Sequence, residues 1–381
     1  MAQCIEQPAN NFGRSDVAIV GGGPAGLATA IALRREGLAV VVLERTNYRS
    51  VRVGEHIPPN TKQLLASLGL ADELTSGRHA SCPGICSVWG SDEPAARDYL
   101  FHPHGEGLNL SRPDFDLSLA TLAQQLGAVV VTGARVSSLS HLAGSWHLNI
   151  QHGRTVSEVR ATVLIDATGR AAAISKRLGA RPVVYDELIG IFGRTRSGVS
   201  HSNVVLIEAL PHGWWYSAGL TDGSVIATVL SDPDLIDTSQ AGRLSAWREQ
   251  LREARMTRER IAHADHLDLH VRTARTQRLD RSTGAGWLAV GDAALSFDPL
   301  SSEGISKGLE WGKRAALVAA ALCRGDSSEQ QAYEREIDET FSEYLITRYR
   351  YYAAETRWSE RPFWQRRQLP PKPIRSNKAA Y

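Results

Sequence analysis

Cysteine is scarce in this sequence and long apolar runs are missing, which excludes several classes of protein. The chain has 4 cysteines in 381 residues, too few for a disulfide scaffold at this length. Cys82 and Cys86 have no second pair nearby to complete a metal site, so we expect free thiols and no bound metal. No apolar segment is long enough to cross a membrane, and residues 1–14 lack the apolar core of a signal peptide. These features predict a soluble, cytoplasmic protein without a membrane partner.

A large excess of charge of one sign is also missing. The formal net charge is +2, and the arginines that supply most of the positive charge are scattered along the chain. Nucleic acids and acidic surfaces are therefore not expected partners. The chain is long enough for a substantial core and for two lobes built on one framework.

The most informative stretch lies near the N-terminus, where an apolar strand, residues 17–20, enters a glycine-rich turn. An alanine-rich helical segment follows, and then a second apolar strand that ends at Glu44. In a Gly-x-Gly-x-x-Gly turn the glycines allow a tight bend, close approach of a pyrophosphate and close helix–strand packing, while the helix N-terminus attracts the phosphates. Glu44 is placed to bind the adenosine ribose. The dinucleotide contacts expected from this unit are Gly21, Gly23, Pro24, Ala25, Gly26, Glu44 and Arg45.

Two later segments have a similar strand-then-turn form. Residues 162–165 lead into Asp166 and a small-residue turn, and residues 287–290 lead into Gly291 and Asp292. Ligands of open α/β sheets bind at the carboxyl ends of the strands. A loop containing Pro299 then opens a helix, whose first N–H groups suit a flavin edge that becomes anionic on reduction. Both segments are therefore expected near the same dinucleotide.

The middle third of the chain has a different pattern. Residues 189–195, 204–210, 213–218 and 224–230 alternate or run apolar between glycine, proline and aspartate, which predicts an antiparallel sheet with one covered face. Residues 214–216 are Trp-Trp-Tyr, and successive strand residues point to opposite faces. These aromatics either fill the core or form a wall for a planar substrate.

The loop that follows Glu44 and precedes the next helix carries two side chains that can take part in catalysis, Glu55 and His56. Pro58 and Pro59 exclude a helix interior or a central strand there, so the loop has a fixed shape. Such a loop is a candidate contact for a cofactor ring or a substrate. The alternative is an ordinary helix entry with exposed polar side chains.

The ordered set of motifs resembles the FAD-dependent monooxygenase superfamily with the para-hydroxybenzoate-hydroxylase-like fold. The resemblance implies an α/β protein in which a Rossmann-like FAD-binding domain is interleaved with an antiparallel-sheet substrate domain and followed by a C-terminal helical region. It also implies that Arg112 and Asp166 reach FAD, that Asp292 bonds the ribityl chain, and that Gly304 and Ile305 lie against the isoalloxazine. The expected boundaries are 1–80, 111–180 and 276–325 for the FAD-binding domain, 81–110 and 181–275 for the substrate domain, and 326–381 for the helical region.

Within that superfamily, the Gly54-Glu55 loop and the Gly304-Ile305 pair resemble the tryptophan-halogenase branch. Halogenases carry a relay lysine after the Gly-Glu loop, whereas this sequence has no lysine between Lys62 and Lys176. Halogenases also place a small hydroxyl residue where Glu303 stands, and a carboxylate there would repel a halide. Halogenation itself is therefore not expected.

A narrower resemblance rests on Trp89-Gly90-Ser91, on residues 213–218 and on the aromatic segments 351–358 and 363–364. These segments resemble those of the LodB-like flavoproteins, which mature tryptophan-derived quinone cofactors in partner oxidases and dehydrogenases. The resemblance implies hydroxylation of a partner's tryptophan by a flavin C4a-hydroperoxide, with dioxygen and an external reductant as co-substrates. The expected substrate contacts are Trp89, Trp214, Trp215 and Tyr216, and the candidates to accept the ring proton are Glu303, Glu55 and His56.

Two alternative functions remain open on the sequence alone. One is a hydroxylase or halogenase-like enzyme that acts on a free small aromatic molecule. The other is a protein that binds FAD without catalysing a reaction. Activity without a partner would favour the first, and flavin that is neither reduced nor reoxidised would favour the second.

Overall fold

A computed structural model describes residues 13–50, 52–196, 203–261 and 268–371. The strands are β1 Arg14–Val20, β2 Val40–Glu44, β3 His56–Ile57, β4 Ala80–Cys82, β5 Gly84–Val88, β6 Ala95–Asp98, β7 Gly107–Asn109, β8 Val129–Thr132, β9 Ala134–Leu142, β10 Ser145–His152, β11 Thr155–Asp166, β12 Pro182–Val184, β13 Ile189–Arg196, β14 Val205–Leu210, β15 Gly213–Gly219, β16 Ser224–Ser231, β17 His270–Thr273, β18 Gln277–Leu279, β19 Thr283–Gly284, β20 Trp287–Ala289 and β21 Leu295–Ser296. The helices are α1 Pro24–Arg35, α2 Thr61–Ser67, α3 Ala71–Leu74, α4 Arg112–Gln125, α5 Ala173–Arg177, α6 Arg243–Glu253, α7 Met256–Arg260, α8 Gly304–Cys323, α9 Ser328–Ala353 and α10 Pro362–Gln365.

The main sheet has 8 strands and is centred on β1, which pairs in parallel with β2 on one side and β11 on the other. The apolar runs of these strands suit a parallel sheet that is covered on both faces. Helices α1 and α8 pack against each other, and a Cβ on Gly312 would lie 2.7 Å from the Ala25 carbonyl oxygen. Small residues therefore let α8 approach the start of α1, next to the carboxyl ends of β1 and β11.

The second sheet has 7 strands in the order β17-β13-β16-β15-β14-β5-β6. Most neighbours are antiparallel, but β14 pairs with β5 in parallel, so the sheet is mixed rather than purely antiparallel. Strands β5 and β6 come from the early part of the chain, before α4. The chain therefore alternates between the two sheets. The predicted α/β class, with two sheets interleaved along the chain and C-terminal helices, is confirmed.

The two faces of the second sheet have separate apolar cores, so the predicted single covered face is wrong: strands β14 and β16 are buried at every position. Trp215 points to one face and packs with Trp247 of α6. Trp214 points to the other face and packs with Tyr352 and Trp364 from the C-terminal helices. The strand alternation predicted for residues 214–216 is therefore present.

Other sequence expectations concern thiols, membranes and metals. Cys82, Cys86 and Cys323 are free thiols, and Cys4 lies outside the described residues. Within the described ranges, no helix combines the length and the hydropathy needed to cross a bilayer. The same ranges contain no group of three or more His, Cys, Asp or Glu side chains arranged to hold a metal ion.

Candidate functional site

A cavity of about 330 Å³ lies where the carboxyl ends of the main-sheet strands face the second sheet. The start of α1, residues 53–56, residues 297–305 and parts of β13, β15, β16 and β17 form its walls. The volume is in the range of small-molecule sites in proteins. Both sheets therefore contribute to one chamber.

The glycine turn after β1 forms one wall of this chamber. Gly21 has φ +113°, and a Cβ there would lie 2.1 Å from the Ala167 carbonyl oxygen. A Cβ on Gly26 would lie 2.1 Å from the Gly21 carbonyl oxygen, whereas a Cβ on Gly23 would meet no atom within 4 Å. No side chain caps the N-terminus of α1, so its first N–H groups are available to an anion. This wall fits the pyrophosphate of FAD.

Glu44 and Arg45 at the end of β2 differ in their surroundings. Glu44 is 5% exposed, accepts a hydrogen bond from the Gly22 N–H at 2.8 Å, and forms an ion pair with Arg52 at 3.1 Å. Its carboxylate thus lies beside the glycine turn, but Glu44 is not among the residues that line the chamber, and the ribose contact stays a prediction. Arg45 is exposed and is not among the residues that line the chamber.

Arg112, the first residue of α4, is buried in the chamber wall. Its Nη1 donates to the carbonyl oxygens of Val53 at 2.5 Å and Gly54 at 3.1 Å, and its Nη2 donates to Asp116. Its Nε is buried and has no partner among the described residues. Arg112 therefore shapes the Glu55 loop and has one unused donor for an anionic or carbonyl group of FAD.

The two aspartates at strand ends have different roles. Asp166 is fully buried and accepts hydrogen bonds from the N–H groups of Thr168 and Ser175. It stabilises the turn after β11 and does not line the chamber, which corrects its predicted contact with FAD. Asp292 does line the chamber and forms an ion pair with Arg170 at 3.3 Å. Asp292 is therefore placed to bind a hydroxyl-bearing ligand.

Gly291 precedes Asp292 in a 3-10 turn and shapes the chamber without lining it. It has φ +61°, and a Cβ there would lie 2.6 Å from the Ala25 Cβ. A side chain at this position would push α1 away from the strand end. Glycine is required for this close approach.

Glu55 and Asp298 are both buried carboxyl groups in the chamber lining, and Glu55 lies on the side of Arg112 and Tyr216. Glu55 is 2% exposed, and burial raises its pKa to about 7 although the Arg112 charge opposes the shift. Oε2 accepts a hydrogen bond from the Gly54 N–H at 3.2 Å. Tyr216 is close enough for the Glu55 charge to raise the Tyr216 pKa further. Glu55 Oε1 and the Tyr216 hydroxyl are buried atoms, and Tyr216 acts on the Glu55 carboxylate as a hydrogen-bond donor that opposes the rise of its pKa, so the two groups form a pair in the chamber wall.

His56 is next to Glu55 but is already engaged. Its Nδ1 lies 3.3 Å from the Asn109 Oδ1, and its Nε2 lies 3.3 Å from the Tyr99 hydroxyl. Burial lowers its pKa to about 4, so the ring is neutral near pH 7. His56 therefore fixes the loop, and its predicted role as the proton acceptor is not supported by this geometry.

The segment before α8 separates the chamber from a second cavity of about 310 Å³. Pro299, Gly304 and Ile305 line the chamber, whereas Glu303 lines the second cavity. Ser302 has φ +52°, and this bend directs neighbouring residues to opposite sides. Glu303 is exposed and does not line the chamber, which corrects its predicted role beside the substrate.

The predicted aromatic wall is also smaller than expected. Tyr216 lines the chamber, but Trp214 and Trp215 are fully buried in the two cores of the second sheet. Trp89 packs edge-on against Trp364, with ring centroids 5.2 Å apart. Helices from distant parts of the chain pack over both tryptophans, one on each face of β15. Of the three aromatic residues, only Tyr216 reaches the chamber.

Sequence reasoning missed several lining residues, among them Arg170, Phe192 and Arg272. Arg170 holds Asp292 and donates to the Phe297 carbonyl oxygen at 2.6 Å. Its position directly after the Asp-Ala-Thr-Gly turn could have identified it. Phe192 and Arg272 carry no comparable signal, because the pairing of β13 with β17 brings them together.

Comparisons with known proteins agree with this geometry. A family model described as FAD binding domain matches residues 14–339. The chain is 30% identical over 358 residues to a protein described as FAD-dependent oxidoreductase LodB from Marinomonas mediterranea, covering 92% of this chain and 96% of the relative. Among solved structures, the peptidyl tryptophan dihydroxylase QhpG, described as essential for tryptophylquinone cofactor biogenesis, has a TM-score of 0.80 and 25% identity, covering 97% of this chain and 82% of QhpG.

The fold is shared more widely with flavin-dependent halogenases. The myxobacterial chondrochloren halogenase CndH has a TM-score of 0.82 at 20% identity, covering 93% of this chain and 86% of CndH. The predicted cofactor, FAD, and the predicted enzyme class are confirmed by the family match and the relatives. The chain belongs to the family of flavoproteins with this FAD binding domain, and it is a LodB-like, flavin-dependent oxidoreductase.

Proposed function

We propose that this enzyme is a monooxygenase that hydroxylates a tryptophan side chain of a partner protein during biogenesis of a quinone cofactor. The observation that carries the proposal is a single chamber that joins the FAD cradle to the buried carboxyl group of Glu55 and the neighbouring Tyr216 hydroxyl. The similarity to QhpG and LodB supports a tryptophan as the ring.

The residues that would hold FAD are on one side of the chamber. Gly23 and the first N–H groups of α1 suit the pyrophosphate, Asp292 suits the ribityl hydroxyls, and the Arg112 Nε is a free donor. When bound and reduced by an external donor, FAD supplies the activation of dioxygen for transfer of one oxygen atom. Ile305 and Phe192 add apolar surface that helps to exclude water.

Glu55 is the best-placed proton acceptor in this chamber. Replacing a ring hydrogen by a hydroxyl group releases a proton from the ring carbon, and the Glu55 carboxylate in the chamber wall can receive it. A pKa of about 7 allows the carboxylate to take up the proton and release it again near neutral pH. Tyr216 keeps its proton because burial raises its pKa well above 10, so it can donate a hydrogen bond to the Glu55 carboxylate.

The cationic side chains that line the chamber are arginines, and this favours oxygenation over halogenation. Arg112, Arg170 and Arg272 line it, and no lysine does so among the described residues. A lysine relay of the kind expected in halogenases is therefore missing. We expect no halogenated product when chloride or bromide is supplied.

The test is to express the enzyme together with precursors of quinone-cofactor oxidases and dehydrogenases, under ¹⁸O₂. The expected result is labelled oxygen on one tryptophan of a partner, located by peptide mass spectrometry, and its loss with the E55Q variant. A partner that stays unmodified while free indoles or phenols are hydroxylated would refute the protein-substrate proposal. Incorporation of halide by the wild-type enzyme would refute the reaction type.

A further inference from the structure

The wall between the two cavities is held by Asp298, a buried carboxylate that is 1% exposed. Its Oδ1 accepts a hydrogen bond from the Leu300 N–H at 3.0 Å, within the wall itself. Its Oδ2 accepts from the Tyr352 hydroxyl at 2.8 Å and faces the Arg348 Nε at 3.4 Å. The Asp298 N–H donates to the Tyr344 hydroxyl at 2.7 Å. The conformation of the wall therefore depends on side chains of α9.

Tyr352 is the member of this set that links the wall to the second sheet. Its hydroxyl oxygen accepts a hydrogen bond from the Trp214 indole N–H at 3.1 Å. An indole N–H can only donate, so the Tyr352 proton is directed to Asp298. The result is a directional series in which Trp214 donates to Tyr352 and Tyr352 donates to Asp298.

The aromatic side chains around Tyr352 hold the Tyr352 and Trp214 side chains in place. The Trp89 ring lies edge-on to the rings of Tyr352 and Trp214, at 5.7 Å and 6.2 Å between centroids. The Trp364 ring lies 5.9 Å from that of Tyr352. Tyr352 and Trp214 are both fully buried, so neither side chain has room for another rotamer without disturbing its neighbours.

We propose that Tyr352 is a positioning residue that acts through Asp298 to hold residues 297–303, and with them the cofactor-side wall at Pro299 and Gly304, in the shape that binds FAD. Trp214 acts one step further away by orienting the Tyr352 hydroxyl. This gives the aromatic core around Tyr352 a role in shaping the chamber although Trp214 does not line it. The proposal rests on FAD binding and does not depend on tryptophan as the substrate.

The test compares Tyr352→Phe with Tyr349→Phe in the full-length holoenzyme. Tyr352→Phe removes only the hydroxyl, whereas Tyr349 lies on the same helix but is not part of the series from Trp214 through Tyr352 to Asp298. We expect amide hydrogen exchange in the peptide 297–304 to become about tenfold faster in Tyr352→Phe, which is the size expected when one hydrogen bond to a charged group is lost. FAD should bind more weakly, and its visible absorption bands should shift. Thermal unfolding confirms that both variants are folded.

Trp214→Phe provides a second, independent test. It should accelerate exchange of the same peptide in the wild-type background but add little in the Tyr352→Phe background, because both changes act through one hydroxyl group. Equal exchange rates and equal flavin spectra for Tyr352→Phe and Tyr349→Phe would overturn the proposal. Additive effects of Trp214→Phe and Tyr352→Phe would overturn the series. None of these measurements needs a substrate, so they are separate from the test of tryptophan hydroxylation.

Discussion

At the scale of single residues, burial, hydrogen bonding and location distinguish the three predicted proton acceptors. His56 is engaged at both ring nitrogens, and Glu303 lines the other cavity. Glu55 alone of the three is a buried carboxyl group in the chamber wall. The Arg112 guanidinium limits the rise of its pKa, so the group can change protonation state near neutral pH.

The pH dependence of the reaction tests this assignment. Since the Glu55 pKa is about 7, the hydroxylation rate should rise as the pH increases through about 7 and the carboxylate forms. E55Q should lose this limb and should be slower by about 100-fold, the lower end for loss of a general base. The measurement is the rate of product formation against pH at saturating reductant. A limb that persists in E55Q would assign the titration to another group.

The same carboxyl group should affect stability in the FAD-free protein. Its folded-state pKa is raised from 4.5 to about 7, so between these values the folded state binds more protons than the unfolded state. Its contribution to stability is therefore complete below pH 4.5 and is lost as the pH rises through about 7. E55Q should exceed the wild type in free energy of unfolding by about 3 kcal/mol at pH 8, and the difference should close at low pH.

Urea denaturation at several pH values measures this difference. E303Q is the matched control because Glu303 is an exposed carboxylate outside the chamber, and it should shift the urea midpoint little at any pH. An E55Q variant that is less stable than the wild type at pH 8 would contradict the assigned burial of Glu55.

At the scale of elements, the glycines of the β1–α1 turn have separable roles. A methyl group on Gly26 would strike the Gly21 carbonyl oxygen, whereas one on Gly23 would project into open space. We therefore expect Gly23→Ala to leave the melting temperature of the FAD-free protein nearly unchanged but to weaken FAD binding at least tenfold, or about 1.4 kcal/mol. Gly26→Ala should lower the melting temperature itself, because backbone atoms would have to move.

Thermal unfolding without FAD and fluorescence titration with FAD distinguish the two variants. Unchanged FAD affinity in Gly23→Ala would mean that the pyrophosphate does not approach this glycine. A normal melting temperature in Gly26→Ala would mean that α1 can shift on the sheet at little cost.

The same turn shows why part of the structure could be predicted from sequence. The strand, the glycines and Glu44 are adjacent in the chain, and their geometry follows from local backbone rules. The strands of the second sheet could also be predicted, because the alternation of residues along each strand is a local feature of the sequence. The surroundings of Glu303 and Trp214 could not be predicted, because they depend on the bend at Ser302 and on helix α9 of the distant C-terminal region.

At the scale of the whole molecule, the C-terminal region connects the two sheets. The Tyr333 hydroxyl of α9 donates to the Ala289 carbonyl oxygen in the main sheet at 2.8 Å. Nineteen residues later in the same helix, Tyr352 packs on the second sheet. A single helix therefore sets the spacing of the two walls of the chamber, and whatever fixes its end on the second sheet also fixes the chamber.

That end is fixed by Arg367, whose side chain is 1% exposed and pairs with Asp232 at 2.5 Å. Removing Asp232 would leave a buried guanidinium without its counter-charge, which typically costs about 3–5 kcal/mol. D234A is the matched control, because Asp234 is 57% exposed and pairs only with the half-exposed Arg366, an arrangement worth below about 1 kcal/mol. We expect D232A to lower the urea midpoint and the melting temperature strongly and D234A to change them little. Equal losses in the two variants would show that the buried pair does not anchor the C-terminal region.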